Sequence, residues 1–168
     1  METALVFPHQ LYREHPAIKK ADQVVLLEDH LYFTQFTFHK QKLVLHRASM
    51  KFYEKHLAKE NVNVKYIDFH QQKNLNEVFS QFKTEGANKI RYVDTTDNWL
   101  ERNINNAAGA QDLALEKHAT PAFLTDIDAL KETMPKKKSG YFMASFYQKQ
   151  RVRMNTLMDA SGEPLGGK

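Results

Sequence analysis

The chain has 168 residues and a net charge of +4, a length that suits one domain with a hydrophobic core and is short for two. Hydrophobic residues make up 42% of the chain and aromatic residues 11%, a composition that excludes intrinsic disorder. The absence of cysteine excludes disulfides, thiolate zinc sites, cysteine nucleophiles and iron–sulfur ligation in this segment, and it favours a cytoplasmic protein.

Five short runs of mostly aliphatic residues predict β-strands. In chain order they span residues 4–8, 23–28, 62–68, 89–94 and 112–117. The first two runs are continuously apolar, which is typical of strands that are covered on both faces of a parallel sheet.

Helical patterns separate these runs and follow the last of them. They span residues 38–60, 74–85 and 97–108, then a short helix capped by Asp126, and finally 139–155. Asp97 is a second predicted N-cap, and Gly86 and Gly109 are predicted helix ends. The alternation predicts a three-layer, doubly wound α/β fold of Rossmann-like type, with a mainly parallel five-stranded sheet.

The domain organisation follows from composition. Residues 1–155 are predicted to form the α/β domain, and residues 156–168, rich in Gly and Pro, are predicted to be a linker. No run of apolar residues is long enough for a membrane span, and the N-terminus lacks the features of a signal peptide.

Ligands of doubly wound sheets bind at the carboxyl ends of the strands. Neither a G-x-G-x-x-G fingerprint nor a P-loop is present, which argues against a conventional dehydrogenase or P-loop ATPase. The first strand is followed instead by His9 and Gln10, which offer hydrogen-bond donors and acceptors. The eight histidines form no H-E-x-x-H motif and no cluster with carboxylates, so the sequence predicts neither a metal site nor a catalytic group.

The long helix has three faces when its residues are placed at helical intervals. The predicted solvated face contains Lys40, Arg47, Lys51, Glu54 and Ala58; a second stripe contains His39, Leu43, His46, Met50, Tyr53 and Leu57; a third contains Val44, Leu45, Ala48 and Phe52. Two interpretations fit this excess of apolar surface. The helix is a deeply buried crossover with hydrogen-bonded histidines, or its start near Phe38, His39 and Lys42 borders a ligand pocket while its flank meets another domain.

Several segments resemble the deoxyribodipyrimidine photolyase-related family, the prokaryotic branch of the cryptochrome/photolyase superfamily that includes iron–sulfur photolyases. They are PHQL after the first strand, VVLLEDHLYFTQFTFHKQKLVLHRASMKFYEKHL, YVDTTDNWLERN, FLT, and the closing FYQKQRVRMNTLMDASGEPLGGK. The resemblance extends in order along essentially the whole chain. It implies an N-terminal light-harvesting domain that binds an antenna chromophore, followed in the parent protein by a helical domain that binds FAD, an iron–sulfur cluster and DNA.

The resemblance also implies where the chromophore lies. A lumazine-type antenna, with deazaflavin or folate as alternatives, is expected between the loops after the first two strands and the start of the long helix. The expected chromophore-binding residues are His9, Gln10, Leu27, Glu28, Tyr32, Phe36, His39 and Lys42. Of these, Leu27, Tyr32 and Phe36 suit the walls of a planar ring, and Gln10 and Glu28 suit its hydrogen-bonding edge. The parent protein is expected to be a light-dependent DNA repair lyase or photoreceptor, and this segment alone is not expected to be catalytic.

Two competing hypotheses remain at this point. One is a nucleotide-binding α/β domain without photochemistry, which would bind ATP or AMP. The other is a nucleic-acid-binding module that uses the basic cluster within residues 134–153, including Lys136, Lys137, Lys138, Arg151 and Arg153.

Overall fold

A sheet of five parallel strands forms the centre of the protein in this computed structural model. The strands are β1 (Glu2–Val6), β2 (Gln23–Leu27), β3 (Val64–Ile67), β4 (Lys89–Val93) and β5 (Ala114–His118). They lie side by side in the order β3-β2-β1-β4-β5, with parallel pairing. This arrangement confirms the predicted doubly wound α/β fold, and the predicted strands differ from the observed ones by only one or two residues at their ends.

The structure describes residues 1–71, 74–135 and 140–166. It divides into two units, Met1–Pro121 and Ala122–Lys168. The sheet and its covering helices belong to the first unit. The predicted boundary between domain and linker at residue 155 lies just after the last helix of the second unit.

Among the described residues of the first unit, four α-helices and a short 3-10 helix connect the strands. They are α1 (His30–Phe33), α2 (Lys40–Lys59), the 3-10 helix Phe69–Gln71, α3 (Leu75–Thr84) and α4 (Asn98–Gln111). Asp97 caps α4 as predicted, since its Oδ1 accepts the amides of Trp99 and Leu100 at 2.9 Å each. The short α1 and the 3-10 helix were not predicted, because elements of three or four residues show no hydrophobic period.

The predicted end of α4 at Gly109 is wrong. The helix continues to Gln111, and Asp112, with a φ of 50°, adopts the left-handed conformation that closes it. The amide of Leu113 then donates to the carbonyl of Ala108 at 3.0 Å. Gly86, with a φ of 89°, lies just beyond the end of α3 as predicted.

Two hydrophobic layers cover the sheet. On one face, α3 and α4 bury the residues Leu75, Val78, Phe79, Phe82, Leu100, Ile104, Ala107 and Ala108. On the other face, α2 and the segment of residues 8–21 cover the strands, with Ala17, Met50, Tyr53 and Leu57 in the core. The hydroxyl of Tyr53 donates to the carbonyl of Tyr12 at 2.7 Å and so joins this segment to α2.

The second predicted stripe of α2 is buried in its later part, where Met50, Tyr53 and Leu57 lie in the core, whereas His39 at its start is exposed. The assignment of Arg47 to a purely solvated face is wrong. Its guanidinium pairs with the fully buried carboxylate of Glu28. The third predicted stripe faces solvent, since the side chains of Val44, Leu45 and Phe52 are 66%, 67% and 75% exposed.

The described part of the second unit contains two helices, α5 (Ile127–Thr133) and α6 (Met143–Met154). Asp126 caps α5 as predicted, accepting the amide of Ala129 at 2.7 Å. Helix α6 starts later than predicted, and Ser139, where the predicted helix begins, lies outside the described residues together with Lys136–Lys138. The guanidinium of Arg153 donates to the carbonyl of Leu124, and that of Arg151 donates to the carbonyl of Leu157.

Candidate functional site

The strand order reverses at β1, which has β2 on one side and β4 on the other. The chain leaves β1 towards β2 and leaves β4 towards β5, on opposite sides of this reversal point, and ligands of doubly wound sheets bind at the carboxyl ends of such strands. The residues that follow β1, β2 and β4 therefore compose the candidate site.

His9 and Tyr32 form the centre of this edge. Their rings stack with centroids 5.0 Å apart and an interplanar angle of 26°. His9 comes from the loop after β1, and its Nε2 lies 3.1 Å from the carbonyl of Thr95, after β4. Tyr32 comes from α1, which Asp29 caps by accepting the amide of Leu31 at 2.9 Å. The site thus joins the loops after β1, β2 and β4.

Burial determines the charge of this centre. It lowers the pKa of His9 and raises the pKa of Tyr32, and the Asp97 carboxylate contributes further to the rise for Tyr32. Burial likewise raises the pKa of Asp29. His9 and Tyr32 are therefore both uncharged at neutral pH, and their stacked rings offer a neutral aromatic surface.

Gln10 and Leu27, two of the predicted chromophore-binding residues, lie beneath the edge rather than on it. Both side chains are fully buried. The Nε2 of Gln10 donates to the carbonyls of Val93 and Asp94 at 3.1 Å each, which ties the loop after β1 to the end of β4. Gln10 thus positions the neighbouring His9, and Leu27 packs in the core under α3 and α4.

Glu28 is also fully buried, and it anchors α2 to the sheet. Its carboxylate accepts from Arg47 through both oxygens, with Nε to Oε1 at 2.7 Å, and from the hydroxyl of Tyr66 and the amide of Phe69. Arg47 also contacts Asp68 at 3.0 Å. This network is structural, because a buried carboxylate needs such partners to remain in the core.

Phe36, His39 and Lys42 lie together at the start of α2. His39 is the N-cap, with Nδ1 accepting the amide of Gln41 at 3.2 Å. The Nζ of Lys42 lies 3.7 Å from the ring centroid of Phe38, and Phe36 meets the same ring edge to face at 5.8 Å. Phe36 remains 63% exposed. These three predicted residues are therefore accessible, as a ligand contact requires.

The sequence did not single out Asp29, His46, Thr95 and Asp97 as parts of this edge. The ring of His46 lies 6.2 Å from that of Tyr32, at 65°. Asp97 was predicted as a helix cap but not as part of this edge, and the same capping signal could have located Asp29, which directly precedes α1.

Two of the cavities in the described part of the first unit are relevant to ligand or partner binding. A groove of about 760 Å³ runs between the loop after β1 and α2, lined by Leu11, Arg13, Ala48, Ser49, Phe52, Tyr53 and His56. On the opposite side, a cavity of about 280 Å³, here called the Trp99 cleft, is lined by Asp29, His30, Leu31, Gln35, Asn74, Leu75, Trp99 and Asn103. Over residues 1–71, 74–135 and 140–166, no group of three or more His, Asp or Glu side chains has the geometry of a metal site.

The family model for the deoxyribodipyrimidine photo-lyase-related proteins matches residues 4–168. The chain belongs to this family. An uncharacterized protein of Acanthamoeba polyphaga mimivirus is 30% identical to it over 176 residues, which cover 98% of this chain and 88% of that relative.

Membership in the photolyase-related family agrees with the resemblance carried by the segments quoted above. The match includes the loops after β1, β2 and β4, so the His9–Tyr32 edge lies within the family region. Among the described helices of this photolyase-related protein, none is both long and apolar enough to cross a membrane.

Proposed function

We propose that this photolyase-related chain is a light-harvesting domain that binds an antenna chromophore at the His9–Tyr32 edge. The observation that carries the proposal is the neutral aromatic stack of His9 and Tyr32 at the reversal point of the sheet, in a member of this family. Planar ligands bind best against flat apolar walls with a few polar groups that set their orientation.

The accessible groups around this edge suit a lumazine-type ring, with deazaflavin or folate as alternatives. Tyr32 and Phe36 supply aromatic surface, and His46 and Lys42 supply donors beside it. The N-terminus of α2 is positively polarised and favours electron-rich ligand groups such as carbonyl oxygens. Gln10, Leu27 and Glu28 act from below, by holding the loops in position.

Such a role requires no catalytic side chain. An antenna transfers excitation energy through space, so the domain must bind the chromophore, orient it and limit its motion. Light-dependent DNA repair or photoreception, and any lyase activity, would belong to the parent protein with its FAD, iron–sulfur cluster and DNA-binding surface.

The exposed stripe of α2 supports a helical FAD-binding domain as the partner. Val44, Leu45, Ala48 and Phe52 face solvent beside the 760 Å³ groove. Contiguous exposed apolar surface of this kind marks interaction sites on soluble proteins. A helix packed on this stripe would place a flavin domain on the α2 side of the sheet.

The test is reconstitution of the protein with 6,7-dimethyl-8-ribityllumazine, a deazaflavin and a folate, each followed by absorption and induced circular dichroism above 320 nm, roughly the limit of protein absorption. We expect saturable binding of one of them. ATP and AMP serve as comparison ligands, because saturable binding of a nucleotide with no binding of any chromophore would overturn the proposal in favour of a nucleotide-binding domain.

A further inference from the structure

The Trp99 cleft lies at the same carboxyl edge as the chromophore site but on the α3 and α4 side. Its volume of about 280 Å³ is near the lower end of ligand pockets, roughly 300 to 1,000 Å³. It shares no lining residue with the predicted chromophore set. The cleft is therefore a separate site, with room for one small ring system.

Trp99 forms an aromatic wall of this cleft. It is the single tryptophan of the chain, and its side chain is 58% exposed although it lies in the first turn of α4. The bond from its amide to Asp97 fixes the start of the helix. Among the described aromatic side chains, none stacks on the indole. One face of a large aromatic ring is thus open to a planar ligand.

Carboxamides surround this wall. Asn103 lies one turn after Trp99 on the same face of α4, Asn74 caps α3, and Gln35 follows α1. The carboxamides of Gln35 and Asn103 offer donors and an acceptor, and that of Asn74, whose Oδ1 accepts the amide of Glu77 at 3.0 Å, offers its donors. Leu31 and Leu75 add apolar contact. An aromatic wall with several amides matches the alternating donors and acceptors of a nucleobase edge.

One carboxylate of the lining, that of Asp29, determines which nucleobase ligand fits, and the carboxylate of Asp97 lies outside the lining. Asp29 lines the cleft and uses Oδ1 to cap α1; among the described residues, Oδ2 has no hydrogen-bond partner. Asp97 lies at the start of α4, next to Trp99. A carboxylate accepts hydrogen bonds from ring N–H and amino groups, and it repels phosphate.

We propose that the Trp99 cleft binds an unphosphorylated guanine-type nucleoside or base, with the ring stacked on Trp99, its N–H and amino donors directed at Asp29 and its carbonyl at the carboxamides. The proposal does not depend on the antenna function, because the cleft and the His9–Tyr32 stack use different side chains.

The experiment is a titration of the full chain with guanosine, followed by fluorescence of Trp99 excited at about 295 nm. Because there is one tryptophan, saturable quenching reports on ligand binding near Trp99, and the variants below assign it to the cleft. We expect saturable quenching by guanosine, weaker binding of guanosine monophosphate, and none by ribose. N-acetyltryptophanamide under the same conditions corrects for absorption by the ligand.

A matched pair of variants tests the lining. Asn103→Leu should weaken guanosine binding about tenfold, the usual effect of one lost hydrogen bond to a ligand. Asn105→Leu changes the same residue type on the same helix, outside the cleft, and should bind like the original chain. The variant Trp99→Phe keeps an aromatic ring but with a smaller stacking area. Calorimetry should therefore show weaker binding of guanosine by this variant.

The proposal is overturned if guanosine does not quench saturably, if guanosine monophosphate binds as tightly as guanosine, if ribose competes, or if the two asparagine variants behave alike. A Tyr32→Leu variant distinguishes this site from the antenna site. It should keep guanosine binding whether or not any chromophore binds, and loss of guanosine binding in this variant would contradict the separation of the sites.

Discussion

Helices α2 and α3 cover opposite faces of the same sheet, and they differ in how completely their apolar side chains are buried. In α3 the large apolar residues Leu75, Val78, Phe79 and Phe82 are all buried. In α2, Met50, Tyr53 and Leu57 are buried, whereas the exposed stripe of Val44, Leu45, Ala48 and Phe52 faces solvent. The α3 face is complete by itself, while the α2 face has the apolar surface that a partner would bury.

The largest expected loss of stability comes from a substitution on the α3 face of the sheet. Phe79→Ala removes a fully buried ring and leaves a cavity between α3 and the sheet, so the free energy of unfolding should fall by about 4 kcal/mol. Urea denaturation followed by circular dichroism measures it. A loss below about 1 kcal/mol would show that the core under α3 is not closely packed.

The next effect concerns the anchor of α2. Arg47→Met leaves the buried Glu28 without its cation. We expect the free energy of unfolding to fall by about 2 to 3 kcal/mol. This is at or below the lower end of the range for broken buried ion pairs, because Arg47 is partly exposed. Lys55→Met is the matched control, since it removes a cation from an exposed position of the same helix. Equal denaturation midpoints for the two variants would contradict the anchoring role of Arg47.

Acid should destabilise the α2 face selectively. Burial lowers the pKa of His15 to about 4, from 6.5, whereas residues 75–111, which include α3 and α4, contain no histidine. The unfolded chain binds a proton at His15 below about pH 6.5 and the folded chain does not, so stability is full above that pH and falls on acidification. The His15 contribution is about 2 kcal/mol between pH 7.5 and pH 5.

The measurement is the free energy of unfolding as a function of pH for the original chain and for His15→Leu. The slope between pH 6.5 and pH 5 should be shallower in the variant. Parallel curves would show that His15 does not titrate differently in the folded and unfolded states.

The smallest effect on stability is expected at the exposed stripe. Phe52→Ser changes a side chain that is 75% exposed, and stability should stay within about 0.5 kcal/mol of the original. Binding of a separately expressed helical flavin domain should nevertheless weaken. A large loss of stability would mean that Phe52 already packs within the domain, and unchanged binding would remove the stripe as the docking surface.

The sheet and its strand directions were predictable because the continuous apolar runs of β1 and β2 indicate strands covered on both faces. The buried stripe of α2 followed from the 3.6-residue period. The ion pair of Arg47 with Glu28 could not be predicted from the helical period, because the two residues are 19 positions apart. A helical period assigns a charged residue to the solvated face whether or not it has such a partner.

The sequence predicted the position of the candidate site better than the directions in which its side chains point. Polar residues after β1 and β2 were expected to face a ligand, and His9 and Tyr32 lie at the edge. Gln10 turns inward to the carbonyls at the end of β4, a direction that sequence spacing does not determine. The Trp99 cleft is formed by α1, α3 and α4 together, and no local pattern predicts that these helix starts meet.

The most direct test of the proposed chromophore site compares binding by two variants, one at the His9–Tyr32 edge and one in the exposed stripe of α2. The dissociation constant of 6,7-dimethyl-8-ribityllumazine is determined for the original chain, Tyr32→Leu and Phe52→Ser, with thermal melts confirming that each is folded. Binding by the original chain and by Phe52→Ser, with a loss of at least about tenfold in Tyr32→Leu, is the predicted result. Equal binding by all three chains, or weaker binding only in Phe52→Ser, would contradict a chromophore site at the His9–Tyr32 edge.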